Sequence, residues 1–225
     1  GRNYLASMGI YVFNKEILYE FLNEVHPNAT DFGKEIIPDS ISNYKVLSYQ
    51  YEGYWTDIGN IYSFFEANIS LTDEMPQFNL FDSTQTVYTR SRMLPPAKIS
   101  GTQIQNAIVA EGSIIHAASI TKSVIGIRSR IGKDTVIKNS YIMGCDYYET
   151  ISQINEKTEK GQPVLGIGDR CVIEDAIVDK NCSIGNDVQI KGGPHLEKID
   201  HPLYTVKDGI VVIKKGAVIP NGFVI

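Results

Sequence analysis

Apolar residues recur every five or six positions through the second half of this chain, and no ordinary helix or strand has that period. Ile104, Val109, Ile115, Ile120, Ile125, Ile131, Val136 and Ile142 mark it, and Ile167, Val172, Val178, Ile184 and Ile190 resume it. A helix buries residues three and four apart, and a strand buries alternate ones. A spacing near six fits a triangular coil in which each flat face sends one aliphatic side chain inward. Three such faces predict a turn of about 18 residues. Gly112, Gly126, Gly132, Gly166, Gly168 and Gly185 fall near the expected corners. Ile and Val suit stacked ladders because β-branched side chains pack closely on strands. The sequence therefore predicts a left-handed parallel β-helix of hexapeptide repeats over residues 99–225.

Two stretches break the period. CDYYETISQINEKTEKGQPV, residues 145–164, is polar and aperiodic and reads as an excursion from the coil. GGPHLEKIDHP, residues 192–202, reads as a second one, before the apolar block GIVVIKKGAVIPNGFVI. The last turns are apolar enough to require a cap or a partner.

Residues 1–71 carry a different pattern, read as the C-terminal part of a Rossmann-like α/β domain. Leu5 to Phe13 reads as a buried strand, and Asn14 is placed to cap a helix over Lys15 to Leu22. Thr30 or Asp31 caps a short helix around Phe32 to Ile37, which Pro38 is expected to end. Tyr44 to Tyr49 reads as a strand, and Asn60 as the cap of a helix running to about Leu71. Residues 72–98, with Pro76, Pro95 and Pro96, read as an irregular linker. The chain opens at Gly1 directly into a strand-like stretch, so a preceding region is expected outside it.

Bulk properties exclude more than they identify. At 225 residues and a net charge of -5, the chain has no composition that favours a nucleic-acid or anionic-membrane surface. No apolar run reaches the roughly 18 residues of a membrane helix, and no signal peptide is visible. Cys145, Cys171 and Cys182 form no CxxC pair, and the four histidines do not cluster with them. The expectation is inert thiols in a reducing compartment and no zinc site.

Few residues carry a chemical signal of their own. His116 is the histidine inside the regular repeat, readable as a general base or as a solvated corner residue. Asp57, in YWTDIG, lies between an expected strand and a helix, where ligands of open α/β sheets bind. Its carboxylate can hold Mg²⁺ against substrate phosphates, or it can cap the next helix. Ser7, in ASMG, can contact a sugar or phosphate, or pack beside Gly9. Lys34 and Glu35 read as a helix surface pair. Arg90, Arg92, Lys180, Lys214 and Lys215 are dispersed in sequence. They either converge on a phosphate-bearing ligand or form a solvated surface. No P-loop and no GxGxxG occurs.

Taken in order along the chain, ASMGIYVF, DFGKEIIP, GYWTDIG, YTRSRMLPPAK, MGCDYYET, IVDKN and GIVVIKKGAVIP resemble the C-terminal part of the ADP-glucose pyrophosphorylase family. The resemblance spans essentially all 225 residues. MGCDYYET is its most specific string, because it falls in an excursion that a generic repeat protein has no reason to share. The resemblance implies ADP-glucose and pyrophosphate formation from ATP and glucose 1-phosphate with Mg²⁺, on the route to glycogen or starch. It implies a tetramer, homomeric or heteromeric, in the cytoplasm or a plastid.

By motif, Ser7 matches a glucose 1-phosphate contact and Asp57 a catalytic, metal-binding carboxylate. Arg92, Lys180 and Lys215 match basic residues of an allosteric site for a phosphorylated metabolite. Lys214, next to Lys215, is expected to point the other way. The nucleotide loop, a first metal carboxylate and a Glu-Lys pair on glucose 1-phosphate are expected upstream of Gly1, so these 225 residues alone are expected to be inactive. A non-catalytic regulatory paralogue, a transferase for another sugar and an acyltransferase using His116 are the competing readings.

Overall fold

Two unlike kinds of strand build each turn of the coil. In the computed structural model, which describes residues 6–225, the two-residue strands Lys98–Ile99, Ile114–Ile115, Arg130–Ile131, Gly166–Ile167, Ser183–Ile184 and Val218–Ile219 stack in parallel as a first face. The seven-residue strands Gln103–Val109, Ser119–Ile125, Val136–Ile142 and Val172–Val178 stack beside them. Each long strand bends at a central residue in the left-handed region: Asn106, Lys122, Asn139 and Asp175, with φ between +43° and +49°. The half before the bend lies on a second face and the half after it on a third.

The bend sets the repeat. Ile120, Ile137 and Ile173 point inward before it, and Ile125, Ile142 and Val178 point inward five residues later. The other steps are mostly six, so the usual turn has 17 residues rather than the expected 18, as in Ser119 opposite Val136. The first turns are shorter, with Lys98 opposite Ile114 and Ile114 opposite Arg130. The corner after Ile131 carries one more residue than the corner after Ile115. This displaces the inward position from the expected Val136 and Val172 to Ile137 and Ile173, which are fully buried. The remaining expected ladder residues from Ile115 to Ile190 are buried as read, whereas in the first turn Ile104 is exposed and Val109 only half-buried. Each such isoleucine contributes about 2 kcal/mol of burial free energy.

Glycine stacking closes another corner. A Cβ on Gly132 would lie 2.5 Å from the Gly168 backbone, and one on Gly168 would lie 2.6 Å from the Gly185 carbonyl. Successive turns approach so closely there that no side chain fits.

Both excursions are present. The first contains the helix Ile151–Glu159, opened by a capping box between Thr150 and Gln153. The second leads into a hairpin of Tyr204–Lys207 and Ile210–Ile213 around Asp208-Gly209, both with positive φ, as a tight two-residue turn requires. Its second strand rejoins the third face beside Ala176–Val178.

The helix Ile61–Ile69 lies against the outside of that third face. Asn60 caps it by accepting the Ser63 N–H at 2.8 Å. Phe65 and Ile69 are buried with Ile177 and Ile210, and Phe64 meets Tyr141 at 5.7 Å between ring centroids. The third face is therefore apolar on both sides. By packing, this helix belongs with the coil in a compact unit that begins at Tyr54.

The other compact unit closes at Gly53. Its helix Lys15–Glu20 continues as a wider turn over Phe21–Val25, and Asn14 makes no side-chain cap bond. Asp31 does cap, accepting the Lys34 N–H at 3.0 Å. Pro38 does not end that helix. It sits in the first turn of Ile37–Asn43, where a missing N–H costs little. No strand forms among the described residues of this unit, contrary to the strands expected near residues 5–13 and 44–49. A strand needs a neighbour to take its backbone hydrogen bonds, and the described residues offer none. Leu5 lies outside them.

Candidate functional site

One edge of the coil carries the basic residues singled out from the sequence. At this edge the backbone N–H of each turn donates to the carbonyl one turn earlier. Gly112 donates to Pro95, Arg128 to Glu111, Cys145 to Ile127, Asn181 to Gly144 and Gly216 to Lys180. Pro95, Glu111, Ile127, Gly144, Lys180 and Lys215 therefore occupy equivalent places in successive turns. Lys180 and Lys215 are direct neighbours. Arg92, exposed and bonded through its guanidinium to the Arg90 carbonyl at 3.3 Å, precedes the first of these places. Four turns at about 4.8 Å separate the Pro95 corner from Lys180, roughly 19 Å. Within one chain, the fold brings Lys180 and Lys215 together and leaves Arg92 at the far end of the same edge.

Asp146, which the sequence reading did not single out, sits between them in chemistry. Its Oδ1 pairs with Lys180 Nζ at 2.6 Å, and its Oδ2 accepts from Asn181 Nδ2 at 3.0 Å. Its backbone N–H donates to Asn181 Oδ1 at 2.8 Å. Lys180 and Asn181 hold its carboxyl below the usual carboxylate range, and the Lys215 charge adds to the effect. Lys214 is committed elsewhere, to Asp200 of the second excursion at 2.7 Å. Among the described residues Lys215 forms no ion pair, so the two adjacent lysines do differ in partner.

Further along the edge, Arg128 lies over the Tyr148 ring at 5.8 Å, and the Tyr148 hydroxyl donates to the Gly112 carbonyl at 2.8 Å. The string MGCDYYET thus ties the first excursion to three turns of the coil. Asp146 and Lys180 are 34 residues apart, and no periodicity links them; only the rarity of the string marked Asp146.

Asp57 is exposed, and its Oδ1 accepts the Gly59 N–H at 2.9 Å in a tight turn. Capping of the next helix falls to Asn60, which leaves Asp57 outside that role. A carboxylate oxygen is a hard donor of the kind Mg²⁺ prefers. Among the described residues no three metal-ligating side chains cluster, and an exposed carboxylate such as that of Asp57 fits as one of several ligands of such an ion. Ser7 is exposed at a turn where Gly9 adopts φ +72°. Its Oγ accepts the Gly9 N–H at 3.2 Å and lies 2.9 Å from the Tyr11 hydroxyl. The two residues belong to different compact units.

The other sequence candidates lie apart from this edge or are engaged elsewhere. His116 is half-buried, and its backbone N–H donates to the Ile131 carbonyl. Lys34 and Glu35 do not pair with each other. Lys34 turns to Asp31, while Glu35 accepts the Thr30 and Asp31 N–H groups at 2.9 Å. All three cysteines are free and buried, and burial pushes their thiols up, Cys182 to about 11. No helix among the described residues is long and apolar enough to cross a membrane.

Two family models match this chain. The model of the GLGC left-handed parallel beta-helix domain covers residues 92–224, more than half of the chain, and the nucleotidyl transferase model covers residues 2–74.

Proposed function

The chain belongs to the ADP-glucose pyrophosphorylase family, whose GLGC β-helix it carries, and on that premise we propose that it serves adenylyl transfer from ATP to glucose 1-phosphate. The products are ADP-glucose and pyrophosphate, for glycogen or starch synthesis. The observation that carries the reading is the succession, in one chain, of a nucleotidyl transferase segment and a GLGC β-helix.

The chemistry is attack by a phosphate oxygen of glucose 1-phosphate on the α-phosphorus of ATP. A bond from that oxygen to phosphorus forms, and the bond to the pyrophosphate oxygen breaks. No proton needs to leave the nucleophile, so catalysis rests on positioning and charge neutralisation. Mg²⁺, when bound, neutralises developing charge on the phosphates. Asp57 supplies a carboxylate to hold the ion, from a turn fixed by the Gly59 N–H. Ser7 supplies a hydroxyl to the sugar phosphate. The β-helix carries a site for a phosphorylated metabolite at Lys180 and Lys215, with Arg92 contributing from the linker. Assembly as a homo- or heterotetramer in the cytoplasm or a plastid completes the reading.

The test is an assay of the complete enzyme containing this chain, with a panel of nucleotides and sugar phosphates. ADP-glucose formation that falls at least about a hundredfold in Asp57→Asn supports the reading. Preference for another sugar phosphate makes it a different sugar nucleotidyltransferase, and no turnover makes the protein a regulatory paralogue.

A further inference from the structure

Lys180 already holds an anion that belongs to the protein itself. We infer that Asp146 is an internal competitor at the Lys180–Lys215 corner, displaced from Lys180 when a phosphate-bearing ligand binds there. The inference rests on the effector-site reading of the two lysines and adds to it a residue that opposes the ligand.

Three observations carry it. First, the Asp146 carboxylate is fully engaged: Oδ1 on Lys180 Nζ at 2.6 Å and Oδ2 on Asn181 Nδ2 at 3.0 Å. It is bound in the way an incoming phosphate oxygen would be bound, by an ammonium and an amide donor at one corner. Second, Lys215 sits at the equivalent place one turn on, because Gly216 donates to the Lys180 carbonyl at 2.9 Å. Among the described residues it has no carboxylate partner, and the other carboxylate beside Lys180, that of Asp179, accepts the Lys180 backbone N–H at 2.6 Å and pairs with neither ammonium. Third, Asp146 is not part of the coil. It opens the excursion that runs to residue 164, and Asn181 anchors its backbone at 2.8 Å. A group on an excursion can withdraw without unwinding a turn, whereas Lys180 and Lys215 are fixed by the ladder.

The consequence is a coupling of ligand binding to the first excursion. A phosphate on Lys180 and Lys215 repels Asp146 and offers Lys180 a stronger partner with more charge. Asp146 then loses Lys180, and the Asn181 contacts alone retain it. The excursion is held further on by Tyr148 on the Gly112 carbonyl and by Glu149 with Lys157. Release at Asp146 therefore loosens its first residues before its helix.

The experiment measures binding of inorganic phosphate by calorimetry to the complete enzyme and to its Asp146→Asn, Lys180→Ala and Lys215→Ala variants. Asp146→Asn keeps the shape and the backbone link to Asn181 but removes the competing charge. Binding should tighten about three- to fivefold in Asp146→Asn and weaken in both lysine variants. A merely structural role for Asp146 loosens the corner and weakens binding instead. Weakened or unchanged affinity in Asp146→Asn, with the lysine variants weakened, overturns the competitor and leaves the effector site standing. No wild-type binding, or binding indifferent to both lysines, overturns the effector site and the competitor with it.

Discussion

Gly216 donates its backbone N–H to the carbonyl of Lys180 at 2.9 Å, and this one bond makes Lys180 and Lys215 neighbours across 35 residues of sequence. Two cations held on adjacent turns of a rigid ladder lie about 5 Å apart at the backbone, a separation suited to one phosphate group. Lys214, although adjacent to Lys215, spends its charge on Asp200.

The first prediction follows from that difference. In the complete enzyme, Lys180→Ala or Lys215→Ala should raise the effector concentration for half-maximal activation about tenfold, as expected for loss of a charge-assisted hydrogen bond. Lys214→Ala should shift it little. Activation curves for the three variants check this. An equal response in all three would mean that the corner does not discriminate the lysines.

The register of the coil yields a second prediction. Ile137 is fully buried in the second-face ladder between Ile120 and Ile173, while Val136 is only half-buried. Ile137→Ala should cost about 3 kcal/mol, the transfer and cavity terms together. Val136→Ala should cost under about 1 kcal/mol. Chemical denaturation of both variants reads the difference, and a larger loss at Val136 would restore the strict six-residue register.

Those two positions also mark where the sequence stops being legible. The ladder announces itself because burial repeats and the chain has few ways to repeat near six. The exact inward residue is lost where a corner gains one residue, since both Val136 and Ile137 are β-branched and apolar. The strands expected near residues 5–13 and 44–49 fail for another reason. Apolar sequence permits a strand, but only a neighbouring backbone makes one. At the candidate site, motifs alone point to Lys180 and Lys215, and their adjacency comes from the stacking of turns. Asp146 was not legible, because its partner is set by stacking of turns and not by any local spacing. Asn60 was legible as a cap from its place before Ile61, and that assignment removes the cap role from Asp57.

A third prediction concerns the anchoring of the first excursion. The Glu149 side chain is 8% exposed, pairs with Lys157 and accepts the Leu165 N–H at 2.8 Å. It clamps the start of the excursion to its end. Glu149→Ala leaves the Leu165 N–H unpaired and should cost about 2 kcal/mol locally. Hydrogen exchange should accelerate over residues 149–165 and stay slow in the strands Val136–Ile142 and Val172–Val178. Uniform acceleration across the coil would show instead that the excursion supports the whole ladder.

The last prediction concerns Cys182, whose thiol lies 3.1 Å from the Asp179 carbonyl and 3.3 Å from that of Lys214. Burial raises its pKa from the ordinary 9.0 to about 11. The thiolate is the reactive form, so alkylation of Cys182 at pH 8 should be far slower in the folded chain than in the denatured one. The same shift fixes the sign of its contribution to stability. Below pH 9.0 the thiol is protonated in both states, and the contribution is fully present. From 9.0 to about 11 the unfolded chain has lost the proton and the folded chain still holds it, so fewer protons are bound on unfolding and stability falls as pH rises. Cys182→Ala should flatten that part of the stability profile. A profile just as steep in the variant would assign the alkaline loss to other groups, such as the Tyr141 hydroxyl, which burial also pushes up.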